Sequence, residues 1–320
     1  MTLGKKFLKK IRGDASFRIF YRKKNKKKTS IIVSAKKEKE KNLLIYDAIN
    51  KLLFQNGIRA PKLLSHNYNK NYIEIQDFGE LSIYSILRNK KKKLQIFKKI
   101  ILLLNKVQNI NNKKIKNFKN KNYRLPIYSK KLLFNEAKLF LKWYVPKILI
   151  KKKSLALNKK LTNEINLLLS KLKLKNNTFV HRDFHVSNLM KVKKQIGILD
   201  SQDALFGNKA YDLASLIDDV RLKTSFSLKN SIYNYYVQLN KKKINENYFR
   251  NDFEILSVLR NLKIIGIFTR LATRDKKKKY LKLIPYAWKL IENRINNNII
   301  FVDLKNYLDD NFSMKIRMKK

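Results

Sequence analysis

Residues 180–190 read Val-His-Arg-Asp-Phe-His-Val-Ser-Asn-Leu-Met and hold two of the three histidines; Ile198-Leu199-Asp200 follows, with Asp200 twelve residues after Asn188. Phosphoryl transfer needs these residue types. One carboxylate orients and deprotonates an acceptor hydroxyl, while an amide oxygen and a second carboxylate hold magnesium on the phosphates of a nucleotide. His-x-Asp, an Asn five residues on and a further Asp supply those parts as Asp183, Asn188 and Asp200. Both aspartates end short apolar runs, Phe179-Val180 and Ile196-Gly197-Ile198-Leu199, where side chains emerge at a sheet edge and not in a core. Taken singly, Asp183 and Asn188 read as turn residues, His181 and His185 as loop histidines and Asp200 as a helix cap. Together, at this spacing, they favour the chemistry. With only seven glycines the chain has no Gly-x4-Gly-Lys-Ser/Thr stretch, so its phosphate site is not a Walker loop.

The elements that must position these groups fall into two styles. Residues 17–22 alternate apolar and polar, and Ser30-Ile31-Ile32-Val33-Ser34 follows a charged turn, which predicts a hairpin. Residues 39–55 place Leu43, Leu44, Ala48, Leu52 and Phe54 at helical spacing before Gly57. Short strands are expected at 61–65 and 72–76, giving a small antiparallel sheet with one helix in roughly the first 77 residues. Beyond Asp77-Phe78-Gly79 come amphipathic segments at 94–108, 130–149, 158–174, 253–273 and 280–295, interrupted only at 178–203. The Lys/Asn-rich stretch 105–122 reads as solvated loop or helix end.

Composition limits the alternatives. A chain of 320 residues is long enough for two compact units or one bilobal domain, and the absence of cysteine excludes disulfide scaffolds, zinc–thiolate sites and a cysteine nucleophile. The net charge of +52 suggests nucleic acid, but 61 Lys against 14 Arg, spread over nearly every segment, is not the pattern of a specific groove reader. An excess of Lys, Asn and Ile is what an A/T-rich coding sequence produces. The basic start lacks an apolar signal core, and no run approaches the ~18 apolar residues of a membrane span, so a soluble cytoplasmic protein without a membrane partner is expected.

The motif His181-Arg182-Asp183 to Asn188, then Asp200, resembles that of the aminoglycoside phosphotransferase and choline kinase superfamily. Within it, the chain is most similar to the bacterial N-acetylmuramate/N-acetylglucosamine kinases. Segments in matching order are Gly13-Asp14-Ala15-Ser16-Phe17-Arg18, Gln76-Asp77-Phe78-Gly79, Leu125-Pro126-Ile127-Tyr128 with Glu136, Asp200-Ser201-Gln202-Asp203-Ala204 with Tyr211-Asp212, and residues 260–271 from Arg260-Asn261-Leu262-Lys263 onward. The resemblance implies an α+β, protein-kinase-like bilobal fold, with a small antiparallel-sheet lobe over 1–78 that binds nucleotide and a mainly helical lobe over 79–320 that carries the catalytic loop and substrate site.

It also implies roles. Asp183 takes the proton of a sugar's anomeric hydroxyl; Asn188 and Asp200 hold Mg2+ on ATP. Ser16 and Phe17 cover the phosphates, and Gln76, Asp77 and Phe78 form the hinge at the adenine. Arg182, Gln202, Asp203, Glu136, Arg260 and Asn261 are the candidates for substrate, and Asp212 for fixing the catalytic loop. Other alcohol kinases, of aminoglycoside, choline or homoserine type, and a non-catalytic nucleotide-binding module are the rival readings. Two positions depart from the kinase pattern. The third strand ends Val33-Ser34-Ala35, with Lys36 and Lys37 one and two places late for the usual phosphate-pairing lysine, and Ser201 follows the metal Asp where an aromatic is usual, which predicts lost packing there.

Overall fold

The computed structural model describes residues 8–11, 18–25, 28–35, 42–296 and 298–319. The chain divides into two compact units, Met1–Pro126 with His181–Phe206, and Ile127–Val180 with Gly207–Lys320. The lobe boundary placed after residue 78 lies inside the first of them.

In the first unit, β1 (Leu8–Ile11), β2 (Ile19–Asn25), β3 (Lys28–Ser34), β4 (Leu63–Asn67) and β5 (Tyr72–Gln76) form an antiparallel sheet in the order β1-β2-β3-β5-β4. The predicted hairpin is β2–β3, paired from Ile19 with Ser34 to Asn25 with Lys28. Residues directly opposed in a ladder share a face. Phe20, Val33 and Ile73, and likewise Ile31 and Ile75, therefore line one side, which packs with Leu43 and Tyr46 of α1 (Asn42–Gln55). Past α1, the chain turns at Gly57, whose φ of 68° suits a residue without Cβ.

After α2 (Ile83–Asn89) and α3 (Leu94–Gln108), residues expected to be solvated loop form a further hairpin, β6 (Lys114–Lys116) with β7 (Asn122–Arg124). The reason is local: Asn117 Oδ1 accepts from the amides of Lys119 (2.9 Å) and Lys121 (3.3 Å), and Asn120 adopts φ 56°. Asparagine side chains mimic backbone in such turns, so an Asn-rich stretch can close a hairpin.

The second unit is helical: α4 (Lys130–Leu139), a π-helical turn over Phe140–Tyr144, α5 (Val145–Ile148) and α6 (Lys151–Ser170) lead to β8 (Thr178–Val180). The intervening β9 (Leu189–Val192) and β10 (Gln195–Ile198) belong to the first unit, and α7 (Ala210–Ile217), α8 (Phe226–Asn240), α9 (Glu246–Thr273), α10 (Ile284–Ile295) and α11 (Val302–Asn311) complete the second. No apolar stripe announces α8. Its Ser, Asn and Tyr residues have modest helix propensity, and it is held by the Ser225 cap on Leu228 N and by burial of Ile232, Tyr233, Tyr236 and Val237. At Gly266 a Cβ would fall on the backbone of Leu139 and Phe140, so α9 needs glycine where it crosses α4.

Buried acids tie these helices. Asp252 accepts from Lys173 N and Leu174 N (both 2.8 Å), Asn208 Nδ2 (2.6 Å) and Asn251 Nδ2 (2.9 Å). Asp218 lies 3.0 Å from both Lys229 Nζ and Arg294 Nη2 and accepts the Ser257 hydroxyl. Burial alone would raise the Asp218 carboxyl, but the two cations and the hydroxyl hold it down at about 2. A carboxylate depressed in the folded state stabilises above its unfolded pKa of about 3.8, and that contribution fades as pH falls toward about 2. Asp218→Asn, by stranding Lys229 and Arg294, is expected to cost about 3–5 kcal/mol at pH 7 and to flatten the loss of stability between pH 4 and 2, both read from urea melts as a function of pH.

Candidate active site

Asn188 and Asp200 stand at the open end of one hairpin. β9 and β10 pair from Leu189 with Ile198 to Val192 with Gln195, and Lys193 takes the turn at φ 55°. Leu199 N donates to Asn188 O at 2.9 Å beyond the last pair. The twelve-residue spacing in the sequence is thus the contour of a four-pair hairpin, and it fixes the main-chain positions of the two residues. Ile198 N to Arg59 O (2.8 Å) and Lys191 N to Leu81 O (2.9 Å) anchor it within the first unit.

The loop before it is tied inward. Asn188 Nδ2 donates to Asp183 O at 3.0 Å, which leaves Oδ1 as the acceptor of the amide. His181 is fully buried. Burial lowers the pKa of its imidazole against the opposing pull of Asp183 and Asp200, and the neutral ring donates from Nε2 to Leu199 O at 3.1 Å. Arg182 and Asp200 both occupy the left-handed region, at φ 73° and 62°, a strain that Asp bears readily and Arg seldom does.

Asp200 has partners that its spacing in sequence does not reveal. Arg18, just before β2, donates from Nη2 to Asp200 Oδ1 and from Nη1 to Gln202 Oε1, each at 2.8 Å. The Arg18 side chain is 4% exposed and the Asp200 side chain 42%. Beneath the guanidinium lie the rings of Tyr46 (5.5 Å) and Phe20 (5.8 Å), and burial, with Asp200 adding and Arg18 opposing, pushes the Tyr46 phenol up to about 12. Gln202 Nε2 continues to Asp203 Oδ2 (2.8 Å), and Arg182 Nη1 lies 3.9 Å from Asp203 Oδ1. The position expected to have lost packing is filled otherwise: Ser201 is fully buried and its hydroxyl donates to Asn50 Oδ1 of α1 at 2.7 Å.

An amide oxygen and one carboxylate are a donor set that suits magnesium, which keeps few protein ligands and takes the rest from phosphates and water. Among the described residues no cluster of three or more His, Asp or Glu could hold a metal ion by itself.

Just past β5, Asp77 is engaged by Arg22 Nε (2.7 Å) and by Gly79 N (2.8 Å). Burial would raise its carboxyl, but Arg22 and the amide hold it below the usual range. Asp77 therefore braces the segment between Gln76 and Gly79. Phe78 packs on Gly197 of β10, where a Cβ would come within 2.6 Å of the ring. Ser16, Phe17, Lys36 and Lys37 lie outside the described residues.

The remaining candidates belong to the second unit. Glu136 pairs with Lys263 Nζ at 2.8 Å and accepts from the Tyr128 hydroxyl, with the Tyr211 hydroxyl at 3.4 Å. Arg260 is buried near Tyr211, and Asn261 is fully buried with Nδ2 on Ser257 O at 2.9 Å. Asp212 is fully buried in the first turn of α7. An open cavity of about 520 Å³ lies elsewhere, among Asn111, Asn112, Lys113, Lys114 and Arg124. In a chain with 75 basic residues such a lining is ordinary. Of the further partners, Arg18, Tyr211 and Lys263 lie in the matching segments with no role attached and Asn50 lies outside them; all four are single polar residues whose meaning depends on long-range contacts.

The model of the phosphotransferase enzyme family matches residues 8–236, and the chain belongs to that family. It is 27% identical over 284 residues to the N-acetylmuramate/N-acetylglucosamine kinase of Neisseria meningitidis, covering 85% of this chain and 80% of that one. To the enzyme of the same name from Pseudomonas aeruginosa it is 25% identical over 291 residues, 88% and 82% of the two chains. Among solved structures, an amicoumacin kinase in complex with AMP-PNP and Ca2+ superposes with a TM-score of 0.62 at 11% identity, over 90% of this chain and 89% of that one, and shares the protein-kinase-like fold.

The buried Ser201–Asn50 bond is tested by a double-mutant cycle in denaturant melts. Ser201→Ala or Asn50→Ala alone is expected to cost about 1–3 kcal/mol, and the pair together little more than either, because each single change strands a buried polar group.

Proposed function

We propose that this phosphotransferase uses ATP and magnesium to phosphorylate the anomeric hydroxyl of N-acetylmuramate, N-acetylglucosamine or both, in the recycling of cell-wall sugars in the cytoplasm. The observation that carries the reading is the hairpin-held set of Asp183, Asn188 and Asp200, on a chain alike over most of its length to two kinases named for those sugars. Asp183 accepts the hydroxyl proton as the sugar oxygen attacks the terminal phosphorus of ATP. Asn188 Oδ1 and the Asp200 carboxylate hold the metal. When bound, magnesium supplies charge neutralisation on the phosphate oxygens. The backbone of Gln76 to Phe78 meets the adenine edge, with Asp77 keeping the hinge in shape, while Ser16 and Phe17 cover the phosphates. In this reading residues 1–78 bind nucleotide and 79–320 carry catalysis and substrate. Gln202 and Asp203, already joined to each other, hydrogen-bond sugar hydroxyls, and Arg182 offers positive charge beside the transferred group.

Release of ADP is measured with ATP and magnesium against N-acetylmuramate, N-acetylglucosamine, choline, homoserine and kanamycin in parallel. Turnover is expected with the N-acetyl sugars and a fall of about 10²–10⁴-fold in Asp183→Asn. Turnover confined to another alcohol would remove the sugar assignment, and magnesium-dependent ATP binding without turnover on any of the five would favour the non-catalytic module.

A further inference from the structure

A kinase-type third strand carries a lysine that pairs with the nucleotide phosphates. Here β3 runs into Ala35, which is fully buried. One step beyond the last recorded pair of the β2–β3 ladder, Ile19 with Ser34, the residue facing Ala35 is Arg18. Facing residues project to the same side of a sheet, so a side chain from position 18 starts beside the place where the strand lysine would start. It ends on Asp200 and Gln202, the segment assigned to the metal.

We propose that Arg18 replaces the strand lysine and binds the phosphates of the nucleotide. The assignment rests on the nucleotide site proposed above. Its chemistry follows from the group and its setting. A guanidinium stays charged at any working pH, and its planar fork matches phosphate oxygens in pairs. Burying it costs solvation, which is justified when a further anion arrives. The Tyr46 and Phe20 rings support it and leave the fork directed at Asp200 and Gln202. Phosphates held on Asp200 through a metal would lie within reach of the same nitrogens. The helix side of the kinase ion pair has changed as well. The one acid of α1, Asp47, pairs with Lys51 of the same helix at 3.0 Å, and Tyr46 and Asn50, one turn apart, meet Arg18 and Ser201. The helix is thereby joined to the metal-ligand segment by a neutral bond, while Arg18 meets the same segment as a cation.

Calorimetry of ADP and of adenosine, each with EDTA and with magnesium, separates a phosphate contact from a prop under Asp200. For Arg18→Met, metal-free ADP affinity is expected to fall by about 10–100-fold, as for the loss of a charge-assisted pair, with adenosine affinity within about twofold of the starting protein. Arg18→Lys, which keeps the charge but not the fork, retains ADP to within about fivefold. Unchanged metal-free ADP affinity in Arg18→Met, with only a higher magnesium requirement, would make Arg18 a positioning residue for Asp200 and overturn the proposal. So would loss of metal-free ADP binding in Lys36→Met with Lys37→Met but not in Arg18→Met. Adenosine binding reports folding of each variant; should Arg18→Met lose it, Arg18→Lys decides, and a fall of about 10-fold or more there, with adenosine retained, overturns the role of charge. Absence of ADP binding to the unaltered chain would overturn the nucleotide site itself, a result distinct from binding that ignores Arg18.

Discussion

The bond from Leu199 N to Asn188 O, closing the β9–β10 ladder, is the constraint on which the rest of the site depends. Backbone pairs, unlike side chains, cannot choose among rotamers, so the main-chain positions of Asn188 and Asp200 are fixed relative to one another. Other ties converge on the same few residues. His181 reaches Leu199 O, Arg59 O holds Ile198, and Phe78 lies against Gly197. Phe78, His181 and the candidate residues Asn188 and Asp200 are thus all tied to one short hairpin.

The site was legible where its geometry is local in sequence. Asp183, Asn188 and Asp200 are joined by one turn and one hairpin, so their numbering is nearly a map of their positions. Four of the five strands of the first unit's sheet were legible for the same reason, because alternation and β-branching report directly on a half-buried strand, whereas β1, short and with Lys9 and Lys10 at its centre, was missed. Arg18 was not, since nothing near position 18 announces a partner at position 200. The Ser201 position was misjudged because the aromatic expected there would pack, whereas the serine found there hydrogen-bonds to a helix some 150 positions away, the bond's span being 151 residues. In 105–122, read as solvated loop or helix end, the helix end is there in α3 to Gln108, but the Asn117 side chain satisfies two turn amides and lets a hairpin form beyond it. α8 hid behind polar, β-inclined residues that tertiary burial overrides.

The second unit solves a different problem, how to pack polar helices in a chain poor in acids. Asp218, Asp252 and Glu136 are each buried against two or more donors, so every one of these carboxylates joins several elements. Around them an aromatic group of Phe140, Tyr144, Trp288 and Phe312 fills the space beside the π-helical turn, with Trp288 Nε1 on the Tyr144 hydroxyl at 3.1 Å. The π turn and the glycine of α9 occur at the same crossing, where backbone approach replaces side-chain interdigitation.

This use of acids inside the molecule alters its outside. Among the described residues, seven of the chain's 23 acids are buried but only four of its 75 bases. The solvent-facing charge is therefore more one-sided than the net figure of +52 conveys. Such a surface gathers a dense atmosphere of mobile anions within a Debye length of about 8 Å at physiological salt. A polyphosphate approaching the protein exchanges with that atmosphere before it meets any particular side chain. The rate of encounter is then governed by the medium, while selection among anions is left to the few cations, such as Arg18, that are sheltered from it.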